Sequence, residues 1–203
     1  MIVDLAAFRD LFQQESVPAA RGKFLSRVFG IFSESIVQIW AEDERAPYRN
    51  LGRPTLCATS PVRNPTLDFL FECRRTGRRF VAEQKCEIEF NGFRYFTLTG
   101  PHQLKHHNKP AFAAFLAAAN GSVPAARDWK VGNQRVTVDG AVLVWGAVTP
   151  EGRAAVMEET GLHDVIGLDR IIAECAKWKP DAYCRLVNDR RRWCEELFAF
   201  LDR

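Results

Sequence analysis

Two segments of alternating hydrophobicity, joined by a glycine-containing turn, constrain this chain more than any other feature. They read Thr66-Leu67-Asp68-Phe69-Leu70-Phe71-Glu72-Cys73 and Phe80-Val81-Ala82-Glu83-Gln84-Lys85-Cys86-Glu87-Ile88-Glu89-Phe90. Thr76-Gly77 suits a two-residue hairpin connection, with glycine supplying the positive φ that such turns demand. With Arg75 and Arg78 closing the turn, Asp68 falls opposite Lys85 and Leu70 opposite Glu83, and directly opposed residues share a face of the sheet. Leu67, Phe69, Phe71 and Cys73 then join Phe80, Ala82, Cys86, Ile88 and Phe90 on one apolar face. Asp68, Glu83 and Lys85 lie on the other. A slip by one residue would mix the two sets, so the alternation argues for this parity. Only Gln84 is polar on the apolar side. Asp68 and Glu83 become diagonal neighbours with Cβ atoms about 6–8 Å apart, a span that one divalent cation can bridge. The plainer alternative is a cross-strand Asp68–Lys85 ion pair on an exposed face, which contributes little and requires no catalysis.

An acid, a hairpin and then Glu-x-Lys resembles the core motif of the PD-(D/E)XK nuclease superfamily. The matching residues are Asp68 and Glu83-Gln84-Lys85, with Pro65 three positions before the acid. The segment Phe32-Ser33-Glu34-Ser35-Ile36-Val37-Gln38-Ile39-Trp40 is similar to the helix, bearing a glutamate before paired aliphatics, that precedes the hairpin in that family. The resemblance covers roughly residues 20–150. It implies an α/β, restriction-endonuclease-like fold, a mixed β-sheet flanked by α-helices, followed here by a helical C-terminal extension over roughly 151–203. It also implies a Mg²⁺ or Mn²⁺ ion held by Asp68, Glu83 and the backbone carbonyl of Gln84, with Glu34 holding a second metal or a water of the first. Lys85 would orient or deprotonate the attacking water, or stabilise the developing phosphorane charge, and the substrate would be nucleic acid, DNA in preference to RNA. A lysine beside two carboxylates keeps its proton until a metal binds, which argues against a role as base. Glu87 and Glu89 extend the acidity of the same face and would repel a nucleic acid unless turned away. The rival reading is a non-catalytic nucleic-acid-binding or assembly protein that keeps the fold and the charges.

Composition narrows the partners. A net charge of +3 on 203 residues does not by itself announce a nucleic-acid binder, but the charge is clustered. Arg74, Arg75, Arg78 and Arg79 crowd the hairpin tip, and Arg185, Arg190, Arg191 and Arg192 crowd the C-terminal region; both clusters suit phosphate contacts without sequence reading. Hydrophobic residues at 47% and charged residues at 26% are globular values. The longest apolar run, Ala141 to Val148, is too short to span a bilayer. The start, Met1-Ile2-Val3-Asp4, lacks a basic region followed by an apolar stretch, so no signal peptide is expected. Six cysteines without a Cys-x-x-Cys pair read as reduced thiols of a cytoplasmic protein with no membrane partner. Homodimers are common among enzymes of this fold, but the sequence identifies no interface.

Periodicity predicts helices over residues 4–15 and 22–42, with Glu34 well away from the centre of the apolar stripe. Proline and glycine make 45–65 a loop or irregular edge, with a short strand somewhere in 51–59. Asn91-Gly92 predicts a turn into a third antiparallel strand, Phe93 to Leu98, so the sheet begins as a meander. A helix interrupted near Asn108-Lys109-Pro110 follows over His102 to Ala119. Strands are expected at Arg135 to Val138, in the run Ala141 to Val148 and around Asp164 to Ile166. Helices opened by Pro150 and at 168–178 and 181–202 complete the chain. His102 and His106 have the i, i+4 spacing of a zinc-binding pair but no convincing third ligand. Gln103 to His107 resembles the Gln-x-x-x-Tyr helix of RecB-like exonucleases, with His107 in place of tyrosine. On that resemblance Gln103, Lys105 and His107 are candidate contacts to the substrate backbone.

Overall fold

The structure, a computed structural model, describes residues 4–13, 19–57, 64–86, 96–124 and 127–202. In chain order the elements are α1 (Leu5–Gln13), α2 (Ala19–Glu42), β1 (Tyr48–Asn50), β2 (Pro54–Cys57), β3 (Phe69–Cys73), β4 (Arg79–Lys85) and β5 (Thr97–Leu98). A 3-10 helix (Pro101–His106), α3 (Pro110–Ala119), β6 (Asp128–Val131), β7 (Gln134–Val136), β8 (Ala141–Trp145) and β9 (Ala147–Val148) follow. The chain then continues through α4 (Pro150–Thr160), β10 (Asp164–Gly167), α5 (Leu168–Trp178) and α6 (Asp181–Leu201).

The architecture is mixed α/β. The main sheet has the order β1-β3-β4-β8-β10, antiparallel from β1 to β4 and parallel from β4 to β10. All five residues of β8 are buried, as a strand with both faces covered requires. One face packs Phe69, Phe71, Phe80 and Val144 against Ile36, Val37 and Trp40 of α2 and Ile171 of α5. The other packs Leu70, Val81, Leu143 and Trp145 against Phe112 and Phe115 of α3 and Val156 of α4. Each such aromatic or leucine contributes about 1.5–3 kcal/mol by leaving water.

The hairpin has the expected parity but a different register. Phe69 pairs with Ala82, Leu70 with Val81 and Phe71 with Phe80. The turn is longer than two residues: the Cys73 amide donates to the Arg78 carbonyl and the Gly77 amide to the Cys73 carbonyl, both at 2.8 Å, with Gly77 at φ 69°. Four residues, 74–77, therefore close the hairpin through a left-handed glycine. The pairing moves by two positions, which leaves each residue on its expected face. Continued past Phe69, this register sets Asp68 directly opposite Glu83, rather than opposite Lys85.

The third strand also departs from expectation. Thr97–Leu98 pairs in parallel with Ala147–Val148, so the described part of that segment does not extend an antiparallel meander. The Asn91-Gly92 turn, Glu87 and Glu89 lie outside the described residues. The segment read as a loop or irregular edge contains the short strand expected in 51–59, β2, and a further strand, β1. β1 borders β3, and β2 pairs with β6, a strand the sequence did not signal, in a smaller sheet β2-β6-β7. Beyond residue 150, β10 belongs to the main sheet and α5 to its core; α6 has no buried residue. Among the described residues no helix is long and apolar enough to cross a membrane.

Candidate functional site

Asp68 stands just before β3, and its carboxylate substitutes for a ladder carbonyl: Oδ2 accepts the backbone N–H of Gln84 at 2.8 Å. The acid is thereby held beside β4. Two residues of β4, Glu83 and Lys85, point to the same side of the sheet. Lys85 Nζ donates to Glu83 Oε1 at 2.6 Å and to the carbonyl oxygen of Gln84 at 3.3 Å. Nζ also lies 5.7 Å from the centre of the Phe112 ring of α3.

Glu83 is the unusual member. Its side chain is 8% exposed, and Oε2 is buried without a hydrogen-bond partner among the described residues. Burial pushes its pKa above the usual carboxylate range; the Lys85 charge opposes that shift and the Asp68 charge adds to it.

Gln84, polar on the apolar side, turns its amide toward α2, where Nε2 donates to Ser33 Oγ at 2.8 Å. Its Oε1 has no partner among the described residues. The backbone of Gln84 thus serves the acidic side of the sheet and its side chain the opposite side.

Glu34 approaches from α2, half exposed, and Arg53 links it to the hairpin. The guanidinium lies 3.6 Å from Asp68 Oδ1 and 3.9 Å from Glu34 Oε2. Partial burial raises the Glu34 pKa, the Asp68 charge raises it further, and Arg53 and Lys85 pull it down. Arg53 was not singled out by sequence. It sits in a proline-rich stretch with no motif, and its placement depends on the turn at Gly52.

Asp68, Glu83 and the Gln84 carbonyl form an all-oxygen donor set, and Glu83 Oε2 is an orphaned carboxylate oxygen within it. This set fits a hard divalent cation such as Mg²⁺ or Mn²⁺, with Glu34 at its edge. Among the described residues no three His, Cys, Asp or Glu side chains cluster as metal ligands, so a cation here would rely on the backbone carbonyl and on water as well.

The other candidates divide. The arginines at the hairpin tip lie about 20 Å along β4 from Lys85, at about 3.3 Å per residue, and most have local partners. Arg74 donates to the carbonyls of Ala41 and Asp43, and Arg78 donates to the Asp139 carbonyl and covers Phe80. Arg79 pairs with Glu72 at 3.2 Å, whereas Arg75 is exposed. Gln103 is buried and its amide is consumed by the fold: Oε1 accepts the amides of Thr99 and Gly100, and Nε2 donates to the Thr97 carbonyl. Lys105 is exposed.

His107 packs against Phe112 and Trp145. With Glu83, Lys85, Asn108 and Lys109 it lines a cavity of about 90 Å³. Burial lowers its pKa to about 4, with help from the charges of Lys85, His106 and Lys109, so the ring is neutral at pH 7. His102 and His106 belong to a 3-10 helix, where three residues make a turn and an i, i+4 pair does not share a face. The geometric reason for a zinc pair is therefore absent. Comparison of the chain with protein-family models, with curated proteins and with solved structures finds no match in any of the three.

Proposed function

We propose that this chain is a metal-dependent nuclease that hydrolyses phosphodiester bonds in nucleic acid, DNA in preference to RNA. The observation that carries this reading is the buried Glu83 carboxylate, held against Lys85 beside Asp68 with one oxygen left without a donor. Buried polar atoms are rarely left unsatisfied, and those that are call for a functional account. The PD-(D/E)XK-like residues Asp68 and Glu83-Gln84-Lys85 supply the reaction class, and the substrate follows from that likeness alone.

Asp68, Glu83 and the Gln84 carbonyl would hold the Mg²⁺ or Mn²⁺ ion, with Glu34 nearby. When bound, the ion supplies charge neutralisation at the phosphate and a more acidic water. The remaining tasks fall to the chain. Lys85 presents a cation on the same side of the sheet as both acids, placed to orient the attacking water and to meet negative charge on the non-bridging oxygens. Arg53 offers guanidinium donors to the same phosphate. As the water oxygen forms its bond to phosphorus, the bond to the leaving sugar oxygen breaks. One proton departs from the water and another reaches the leaving oxygen.

The mutual neutralisation of Lys85 with Glu83 and of Arg53 with Asp68 favours a second reading, a non-catalytic nucleic-acid-binding or assembly protein with a nuclease-like fold. A cleavage assay separates the two, using supercoiled plasmid, linear duplex, single-stranded DNA and RNA with Mg²⁺ or Mn²⁺. Metal-dependent cutting by the wild type, reduced at least about a hundredfold in Lys85→Ala, is expected. No cutting on any substrate, or equal cutting by both proteins, supports the second reading.

A further inference from the structure

Arg53 stands in one row with the two acids of the hairpin. The bridge between Thr55 and Thr66 is antiparallel, and the Leu67 amide donates to the Pro54 carbonyl at 2.9 Å. Carried one residue further, that register sets Arg53 directly opposite Asp68, as the hairpin register sets Glu83 opposite Asp68 on its other side. Directly opposed residues share a face, so Arg53, Asp68 and Glu83 line up across three neighbouring segments. The main chain on both sides of Arg53 is tied down. The Gly52 carbonyl accepts the Leu70 amide at 2.7 Å, the Gly52 amide donates to Asn50 Oδ1 at 3.0 Å, and Pro54 confines the residue before it to extended backbone. The position of Arg53 is thus set by the backbone, although its side chain is 61% exposed.

This placement decides which carboxylate oxygens are left for cations. The Gln84 amide takes Asp68 Oδ2, and Lys85 takes Glu83 Oε1. Asp68 Oδ1 and the orphaned Glu83 Oε2 remain, and with the Gln84 carbonyl they serve one ion. A second ion, which in two-metal sites stands about 3.5–4 Å from the first, would share Asp68 Oδ1 and draw on Glu34. The Arg53 guanidinium already spans those two groups, with one nitrogen 3.6 Å from Asp68 Oδ1 and another 3.9 Å from Glu34 Oε2. Both distances exceed a direct hydrogen bond, so the guanidinium acts there as a fixed charge. A divalent ion in the same place would have to displace that charge or bear its repulsion. We propose that Arg53 takes the place of a second metal ion, so that the site holds one divalent cation per chain. The proposal rests on the metal-dependent reading above and deepens it. Glu34 becomes the partner of Arg53 and not a metal ligand. The positive charge that a second ion would bring to the phosphate comes instead from a guanidinium, which neutralises charge and donates hydrogen bonds but does not acidify a water.

Mn²⁺ alone is a sufficient probe, because the readout is the number of ions bound and not cleavage. Isothermal titration calorimetry of the full chain should give one ion for the wild type and two for Arg53→Ala, the second binding at least about tenfold more tightly than any further ion in the wild type. Low-temperature electron paramagnetic resonance should show isolated Mn²⁺ in the wild type and an exchange-coupled pair in Arg53→Ala. Arg53→Lys keeps the charge and should stay at one ion. The double variant Arg53→Ala, Glu34→Gln should return to one, since the second ion would lose its carboxylate. Arg53 and Glu34 are both exposed, so these variants retain the fold, which circular dichroism checks. Two ions in the wild type, one in Arg53→Ala, or a second ion that survives in the double variant overturns the proposal and leaves the metal-dependent reading standing. A wild type that binds no Mn²⁺ overturns that reading itself, and the proposal with it.

Discussion

At Glu83, burial and two neighbouring charges act on one carboxylate. Burial dominates and holds the folded pKa above the ordinary value of 4.5. For a group whose folded pKa is raised, the contribution to stability is complete below the unfolded pKa and is lost as pH rises through the folded pKa. Glu83→Gln, which cannot ionise, should therefore be more thermostable than wild type at neutral pH, and the advantage should shrink as pH falls toward about 4. Thermal melts of both proteins from acid to neutral pH measure this; a constant difference would show that the ionisation of Glu83 is not its cause. The placement of this carboxylate was partly legible in the sequence. Alternation assigned each residue of the hairpin to a face, because parity is a local property. It could not assign the partner, since a turn of two residues and one of four preserve the same parity. Arg53 was not legible, because its role arises from contacts to Asp68 and Glu34, which are distant in sequence.

Among the elements, the segment ahead of β2 does most to position Arg53. Gly52 adopts φ 111°, and a Cβ there would lie 2.9 Å from Val131 Cγ1 of β6. The Gly52 carbonyl also accepts the Leu70 amide at 2.7 Å, which ties the segment to β3 two residues from Asp68. Gly52→Ala should cost about 1–3 kcal/mol through backbone strain and the close contact, lower the melting temperature by several degrees, and shift Arg53 away from the acids. Differential scanning calorimetry with a cleavage assay on the same variant tests both effects. An unchanged melting temperature would mean that the turn relaxes freely. The long elements were readable: α2, α5, α6 and β8 carry periodic or continuous apolar patterns that survive any tertiary context. β2 falls within the stretch 51–59 where a short strand was expected, but β1 and β6 were not readable, since strands of three or four residues leave too few positions for a pattern. They form because β3 and β2 present open edges to them.

On the scale of the whole molecule, the candidate site is assembled from α2, the segment before β2, the start of β3 and β4, which meet only once the sheet and α2 have packed. Local patterning could suggest the hairpin but not the closure of the sheet through β8, nor the parallel pairing of β5 with β9, because both depend on crossovers rather than on neighbours in sequence. A cation held by Asp68, Glu83 and the Gln84 carbonyl would accordingly bind the folded chain and not the unfolded one. Binding of that kind stabilises by about 2.7 kcal/mol when the free ion is at 100 times its Kd, which for a chain of this size raises the melting temperature by about 5–10 °C. Titration with Mn²⁺ should show this rise in the wild type. Asp68→Asn should lose most of it, because the amide can still accept the Gln84 N–H but no longer offers a charged ligand. The comparison isolates the ligand from the hydrogen bond that positions it. Equal rises in the two proteins would place the ion elsewhere and leave Asp68 as a structural acid; a rise confined to the wild type would tie the ion to the hairpin before any substrate is known.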